Sequence, residues 1–324
     1  MITIANDKYN FASSEIDNAI ERWNSHTRED VPVESWEMSI RQEGLKIRGR
    51  QDVIPLRSRG MSTLLSRIHM PSIFAGRMPN HVLIPTVNGM LEYEQSKRSV
   101  VRICDGEVRA VISGTYGVME DITILNALNE RSDLFSTFLY EVSEGMSVVS
   151  LTLVNPIGID LGNGYTMQCG VSITNSDVTE SSLWLLTSAT IYHEGRMTGN
   201  IRMRRRNDLA ARMIHRGKIA ENFPGRLEQF LNANEERISL IQDKVESLTK
   251  EYSESYIENM EHRSMKMVEE QSSINVVNEY KRIYSTPAKS MLELFTRFLN
   301  FKTQVRLSDI GINAMDTVAE RILW

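Results

Sequence analysis

The sequence has little cysteine and no apolar run long enough to cross a membrane. Two cysteines, Cys104 and Cys169, cannot form the disulfide framework of a small secreted domain. No stretch reaches the roughly 18 uncharged apolar residues that a membrane helix needs. The first ten residues have neither the basic nor the apolar segment of a signal peptide. We therefore expect a cytoplasmic protein with reduced thiols, although a single disulfide stays open.

Motifs for cofactor chemistry are also missing. The sequence contains no Gly-rich phosphate loop ending in Lys and Ser/Thr, no dinucleotide fingerprint and no Gly-x-Ser-x-Gly elbow. None of the six histidines lies three to five residues from another, and the cysteines are far apart, so zinc-ligand spacing is absent. We predict no catalytic residue, no metal and no cofactor. An enzyme whose carboxylates are dispersed along the sequence stays open.

Positive charge, by contrast, is concentrated in two short segments. Residues 41–77 carry eight basic and two acidic side chains, and residues 196–218 carry eight and one, in a chain of 324 residues with net charge −5. Arginine outnumbers lysine 14 to 2 in these segments. Guanidinium groups bind phosphate bidentately and stack on bases. The segments therefore predict a nucleic-acid groove.

The arginines expected to contact nucleic acid lie in both segments. Residues 202 and 204 should project from one face of a strand, and residues 212 and 216, four apart, from one face of a helix. The alternative is a solvated face, or ion pairs with the acidic remainder of the same chain. The predicted set is Arg48, Arg50, Arg57, Arg59, Arg202, Arg204, Arg205, Arg206, Arg212 and Arg216.

Apolar periodicity predicts an α+β fold: an antiparallel sheet with covering helices, followed by a helical, partly coiled-coil-like region. We expect an N-terminal helical segment over 1–29, the α+β domain over 30–206 and the helical region over 207–324. The strands are expected as a hairpin over 36–47, a second around Asp105-Gly106, and runs over 142–154, 165–173, 183–192 and 201–204. Helices are expected over 60–68 and 121–139, and turns over 71–89 because of three prolines.

A heptad seam marks the helical region. Leu227, Leu231, Asn234, Ile238, Ile241, Val245, Leu248 and Tyr252 follow alternating steps of four and three residues. Seven of these eight positions are apolar, which is typical of a coiled-coil interface. The seam predicts a helical hairpin or a homo-oligomer formed through residues 227–252.

Two short motifs carry a family resemblance. Residues 70–74, Met-Pro-Ser-Ile-Phe, precede His81-Val82-Leu83-Ile84-Pro85-Thr86, and Val171-Ser172-Ile173-Thr174 leads into Asn175-Ser176-Asp177. These resemble the YafZ-like family of prophage and plasmid proteins of unknown function. The family's later Cys-x-Asn-Gly element keeps only its glycine here, Gly195. The resemblance implies a mobile-element protein of the bacterial cytoplasm. It also implies that Asn175, Ser176 and Asp177 are a shared structural or ligand-contacting feature, beside the simpler interpretation as a turn.

Together these patterns favour a phage-encoded, non-enzymatic nucleic-acid-binding protein that acts in recombination or in handling single strands. Phosphate neutralisation along a groove would provide the affinity, with little base readout. The alternative is a self-assembling structural or host-takeover component of a phage, whose basic segments bind acidic protein surfaces. Neither function requires a membrane.

Overall fold

The computed structural model describes residues 4–5, 11–94, 97–143, 145–154, 158–162, 164–176, 178, 181–305, 307 and 309–324. The strands are β1 Ile4–Ala5, β2 Phe11–Ser13, β3 Arg28–Glu34, β4 Met38–Ile40, β5 Leu45–Ile47, β6 Val53–Ile54, β7 Leu56–Arg57, β8 Arg98–Cys104, β9 Glu107–Ser113, β10 Phe135–Val142, β11 Ser147–Leu153, β12 Gly158–Gly162, β13 Tyr165–Asn175, β14 Leu183–His193, β15 Arg196–Met203 and β16 Ala210–Met213. The helices are α1 Ile16–Asn24, α2 Ser58–Arg67, α3 Ser72–Ala75, α4 Asn80–Tyr93, α5 Asp121–Asn129, α6 Ile219–Asn232, α7 Asn234–Leu248, α8 Glu254–Gln271, α9 Ile274–Ile283, α10 Met291–Gln304 and α11 Asp309–Leu323.

The N-terminal part combines a five-stranded sheet, ordered β1-β7-β9-β8-β3, with the small antiparallel sheet β4-β5-β6. Both predicted hairpins are present. In the turn between β8 and β9, Asp105 has φ 50° and Gly106 has φ 76°, as a type I′ turn requires. Strand β7 pairs in parallel with β1 and with β9. The chain between β7 and β9, which includes α2 to α4 and β8, is long enough for the crossover that parallel strands need.

Helices α2, α3 and α4 cover this part and bury a common core with it. The expectation of turns over 71–89 was wrong, because α4 runs through Pro85. A proline inside a helix costs about 3 kcal/mol and one hydrogen bond. Leu83, Val87 and Leu91 bury one face of α4 at helical spacing, and this burial offsets the cost.

The second, larger sheet is antiparallel, in the order β15-β14-β13-β11-β10-β2. The long strands β13 and β14 pair along their whole length, from Tyr165 opposite His193 to Thr174 opposite Trp184. Strand β12 pairs with the first half of β13, and β16 pairs with the first half of β14. The predicted α+β class, with an antiparallel sheet and C-terminal helices, is confirmed.

Helices cover the larger sheet in two groups. Met167 and Cys169 of β13 belong to a core shared with α7, α8, α9, α10 and α11. Val171 and Ile173, further along the same face of β13, belong to a core shared with α1, α5 and α6. The sheet is therefore the common support for both groups of helices.

Two predicted element boundaries were wrong. The helix expected over 121–139 ends at Asn129, and the chain continues as β10, where Phe138 and Tyr140 alternate into the core. The helical region expected from residue 207 begins with a strand instead, because β16 extends the sheet beside β14. In both places the sheet supplies backbone partners that short apolar periodicity cannot reveal.

The heptad seam is used inside the chain. Helix α6 ends at Asn232, and α7 begins at Asn234, so the seam is not one continuous helix. Its apolar residues Leu227, Ile238, Ile241, Val245 and Leu248 are buried in the chain's own two cores. These side chains are therefore not available to a coiled-coil seam with a second copy, and the homo-oligomer through 227–252 stays a prediction.

Candidate functional site

The arginines of the first basic segment do not form one surface. Arg57 is buried and donates to Glu107 over 2.6 Å. Arg50 donates to Glu29 over 2.8 Å and also approaches Asp52. For these two arginines the prediction of phosphate contacts is corrected, because carboxylates of the same chain already neutralise them.

The other two predicted arginines of this segment, Arg48 and Arg59, differ in exposure. Arg48 is exposed, and its guanidinium carbon lies 4.5 Å from the centre of the Trp36 ring. Arg59 is half-buried on α2. Of the four predicted arginines in this segment, Arg48 is the one in the exposed class.

Three arginines of the second segment bond to other side chains of the same chain. Arg202 donates to Asp316 over 3.0 Å, and Arg206 pairs with the nearby Asp208 over 2.6 Å. The Arg204 side chain donates to Thr174 over 3.3 Å, and burial, followed by the neighbouring charge of Arg202, lowers its pKa. These contacts correct the prediction that the three guanidinium groups face phosphate.

Arg205 takes part through its backbone. Its N–H, like that of Arg204, donates to the buried carboxylate of Glu320 on α11. The Arg205 side chain is exposed. The second segment thus connects sheet and helix mainly by internal bonds, as the alternative of internal ion pairs anticipated.

The remaining predicted arginines line an open groove between β16 and α6. This β16–α6 groove has a volume of about 740 Å³. Its lining residues are Ala211, Arg212, Met213, Ile214, Arg216, Ile219, Asn222, Gly225, Arg226 and Gln229. Arg212, Arg216 and Arg226 are exposed, and no carboxylate is among the residues that line the groove. The volume is within the range of ligand-binding clefts, about 300–1,000 Å³.

The sheet and the preceding loops hold the arginines of the groove in place. The expected helix around residues 212 and 216 is wrong, because β16 pairs Arg212 directly with Trp184 of β14. Arg212 donates to Ser182 over 2.8 Å, and its guanidinium carbon lies 5.5 Å from the Trp184 ring centre. The backbone of Arg216 forms a β-bridge with Tyr116. The backbone positions of Arg212 and Arg216 are therefore fixed by strand pairing and by the β-bridge.

Helix α6 supplies the opposite wall. Asn222, Arg226 and Gln229 are spaced four and three residues apart, so they share one helix face. Two amides beside a guanidinium can donate to phosphate oxygens or bond a base edge. Of the carboxylates on α6, Glu221 forms an ion pair of 2.9 Å with Lys218, and the exposed Glu228 is not among the described residues that line the groove. The described lining is therefore positively charged.

Strand β16 also presents a backbone edge. The N–H of Thr187 donates to Leu209 over 2.8 Å, and the register continues with Leu185 opposite Ala211. In an antiparallel pair, hydrogen-bonded residues alternate with residues whose N–H and C=O point away. Ala210 and Arg212 therefore direct their backbone groups away from β14, the one strand that pairs with β16 among the described residues.

The Asn-Ser motif of the family resemblance lies inside the protein. Asn175 donates to Asp121 and to the backbone of Met119, each over 2.8 Å, and Ser176 donates to Gly145 over 2.7 Å. Asp121 also accepts from Tyr140 over 2.8 Å. The described part of the motif is a buried structural connection between β13 and the start of α5. Asp177, the third residue of the motif, lies outside the described residues.

The described residues contain no cluster of three or more His, Cys, Asp or Glu side chains that could hold a metal ion. Both cysteines are buried, and burial raises the pKa of Cys169 to about 12. None of the described helices combines the length and the apolar character that a membrane span requires.

Sequence reasoning found two arginines of the groove and missed the third. Arg226 lies outside the charge-rich segments, on α6, where it is the one basic residue beside two glutamates. The spacing of Asn222, Arg226 and Gln229 on one helix face was a usable signal. It becomes informative only when α6 is known to lie beside β16.

Comparison with known proteins yields no match: no family model, no curated protein and no solved structure is similar to this chain. The resemblance to the YafZ-like family therefore stays a prediction.

Proposed function

We propose that the chain binds the phosphate backbone of single-stranded nucleic acid in the β16–α6 groove, without catalysis. One observation carries this proposal: three exposed arginines, Arg212, Arg216 and Arg226, line one open groove, and none of the described residues that line it is acidic. Phosphate neutralisation by such groups releases counterions, and this release supplies affinity without sequence preference. The family resemblance supports a phage or prophage setting, in recombination or in the handling of single strands.

The side chains around the arginines fit this ligand. Trp184, beside Arg212, is half-buried and lies within cation–π distance of Arg212 and Arg204. Asn222 and Gln229 provide amides on the other wall. The phosphates would contact the guanidinium groups, while the amides bond sugar or base edges with little sequence preference.

Binding of a fluorescein-labelled oligo-dT of 20 nucleotides, measured by anisotropy over a salt series, tests the proposal. Each phosphate contact on a single strand contributes about −0.7 to the slope of log affinity against log salt, so three contacts predict a slope of about −2. Affinity should then fall roughly 20-fold between 50 and 200 mM salt. Each of Arg212→Gln, Arg216→Gln and Arg226→Gln should reduce the slope by about 0.7.

Arg48→Gln is the matched control, because Arg48 is an exposed arginine outside the groove. It should leave the slope unchanged. A slope that falls equally in the control would show a diffuse charged surface instead of a groove. No measurable binding at 50 mM salt would reject the proposal.

The free edge of β16 favours a second candidate, an acidic peptide that adds to the sheet as a strand. This is the protein-interaction alternative, placed in the same groove. Ala210→Pro separates the two candidates, because proline removes an N–H that points away from β14 and is tolerated at strand edges. A strand-forming peptide should lose affinity for this variant, whereas oligo-dT should bind it as it binds the unmodified chain.

A further inference from the structure

A second open site lies in the N-terminal part, between α2, α3 and α4. This α2–α4 cleft has a volume of about 600 Å³. Its lining residues are Ser58, Met61, Ser62, Leu65, Ser72, Ala75, Gly76, Met78, Pro79, Asn80 and Leu83. The floor of the cleft is apolar, because the buried core residues Met61, Leu65, Ala75 and Leu83 line it. No charged side chain lines the cleft.

The surface beside the cleft is unusually apolar. Ile73 and Phe74 on α3 are 75% and 62% exposed, and Val82 on α4 is 41% exposed. Contiguous exposed apolar residues next to a concave apolar cleft are typical of a site that a partner covers. Two of the lining residues are methionines, whose flexible thioethers adapt to the shape of an inserted side chain.

The basic residues around the cleft favour an acidic partner. Residues 58–91, which build it, contain three arginines and two histidines but no Asp or Glu. Arg77 and His81 are both exposed close in sequence to the lining residues. An acidic surface would therefore be attracted to the rim, and a basic one repelled.

We propose that the α2–α4 cleft binds an amphipathic helix of a partner protein, with apolar side chains in the cleft and acidic side chains against the basic rim. Helices recognised in this way use apolar anchors spaced three or four residues apart. A helix can insert such side chains below the surface, to Leu65 and Leu83, whereas a flat membrane would reach only the protruding Ile73 and Phe74. The proposal does not depend on the β16–α6 groove.

Two glycines offer a matched pair of variants. A Cβ at Gly76, which lines the cleft, would meet only backbone oxygens of its own turn, at 3.4 Å or more. A Cβ at Gly89, on the exposed side of α4, would meet nothing within 4 Å. The backbone at Gly76 therefore accepts a Cβ, and Gly76→Trp places a large side chain at the cleft. Gly89→Trp makes the same exchange away from the cleft.

The probes are three synthetic 18-residue helical peptides with the same Leu/Phe face and a polar face of Glu, Gln or Lys. Anisotropy at low salt should show the Glu peptide binding at least about tenfold more tightly than the Lys peptide, because complementary charge raises association about 10- to 1,000-fold. Gly76→Trp should reduce the affinity for the Glu peptide at least about tenfold, whereas Gly89→Trp should leave this affinity unchanged. The double variant Arg77→Glu/His81→Glu should reverse the preference between the Glu and Lys peptides.

Several results would overturn the proposal. The first is that no peptide binds at about 500 μM, a concentration that would detect even weak binding. The second is equal affinity for the three peptides. The third is an equal loss of affinity in both Trp variants. Binding to vesicles of anionic phospholipid without binding to the Glu peptide would assign the apolar surface to a membrane and reject a helix partner. Circular dichroism of each variant confirms that it is folded before binding is measured.

Discussion

At the scale of single residues, Glu320 holds the backbone of the second basic segment in place. Its carboxylate is buried and accepts N–H groups from Arg204 and Arg205, at the point where β15 ends. Burial raises the pKa of Glu320 above the usual 4.5, although the N–H donors of Arg205 and Arg204 oppose this change. One side chain thus positions the backbone of a basic segment against α11.

The raised pKa predicts a pH dependence of stability. Between pH 4.5 and the folded pKa of Glu320, the folded chain holds a proton that the unfolded chain has released. The contribution of Glu320 to the free energy of unfolding is therefore largest below pH 4.5 and falls as the pH rises through the folded pKa. Glu320→Gln lacks this dependence. Urea unfolding of both proteins between pH 4.5 and 7.5 should show the variant gaining stability relative to the unmodified chain as the pH rises; a constant difference would contradict the prediction.

At the scale of elements, the contact between β15 and α10 depends on a close backbone approach. A Cβ at Gly199 would lie 2.7 Å from the backbone of Leu299. Beside this contact, Lys302 of α10 donates to the backbone of Asn200 over 2.7 Å and forms an ion pair with Asp316 of α11. Burial lowers the pKa of Lys302, and the charge of Asp316 opposes that change.

Gly199→Ala should therefore move α10 away from the sheet. Overpacking of this kind costs about 1–3 kcal/mol, because Leu299 offers only backbone and its own Cβ at the point of contact. The measurement is the free energy of unfolding in urea. Gly158→Ala on β12 is the control, since a Cβ there meets nothing within 4 Å, and it should change stability by less than about 0.5 kcal/mol. An equal change in the free energy of unfolding for the two variants would contradict the prediction that the close approach to Leu299 excludes a Cβ at residue 199.

At the scale of the whole molecule, the sheet and the C-terminal helices form one core. Met167, Ile191 and Ile201 of the sheet are packed with Phe295 and Phe298 of α10, and all five are buried. The sequence boundary expected near residue 206 therefore does not separate two independent cores. The C-terminal helices are part of the support for β13, β14 and β15.

A chain shortened to residues 1–206 should consequently fail to fold cooperatively. It would expose the apolar face of the larger sheet that α7 to α11 cover, and exposed apolar faces of this kind drive aggregation. Thermal unfolding followed by near-UV circular dichroism should show no cooperative transition for this fragment. A sharp transition like that of the full chain would contradict the shared core.

Much of the fold could be predicted from local chemistry. The Asp105-Gly106 turn, the strands β13 and β14, and the last two helices follow from turn residues and apolar spacing, which act over a few neighbours. Helix α4 and strand β10 could not be predicted in this way, because their apolar residues are short runs compatible with more than one element. For the candidate site, two arginines of the groove were found, but the wall that contains Arg226 was not.

The sequence by itself determined three properties of the protein: two arginine-rich segments, few cysteines and an apolar pattern typical of an antiparallel α+β fold. Only the tertiary structure decided which arginines are free, because their carboxylate partners are distant along the chain. Arg202 and Asp316 are 114 residues apart, and Arg57 and Glu107 are 50 apart. Charge counts along a chain cannot show such pairs, since an ion pair forms wherever folding brings opposite charges within about 4 Å. Only the folded arrangement places Arg212, Arg216 and Arg226 together in a groove whose described lining contains no carboxylate.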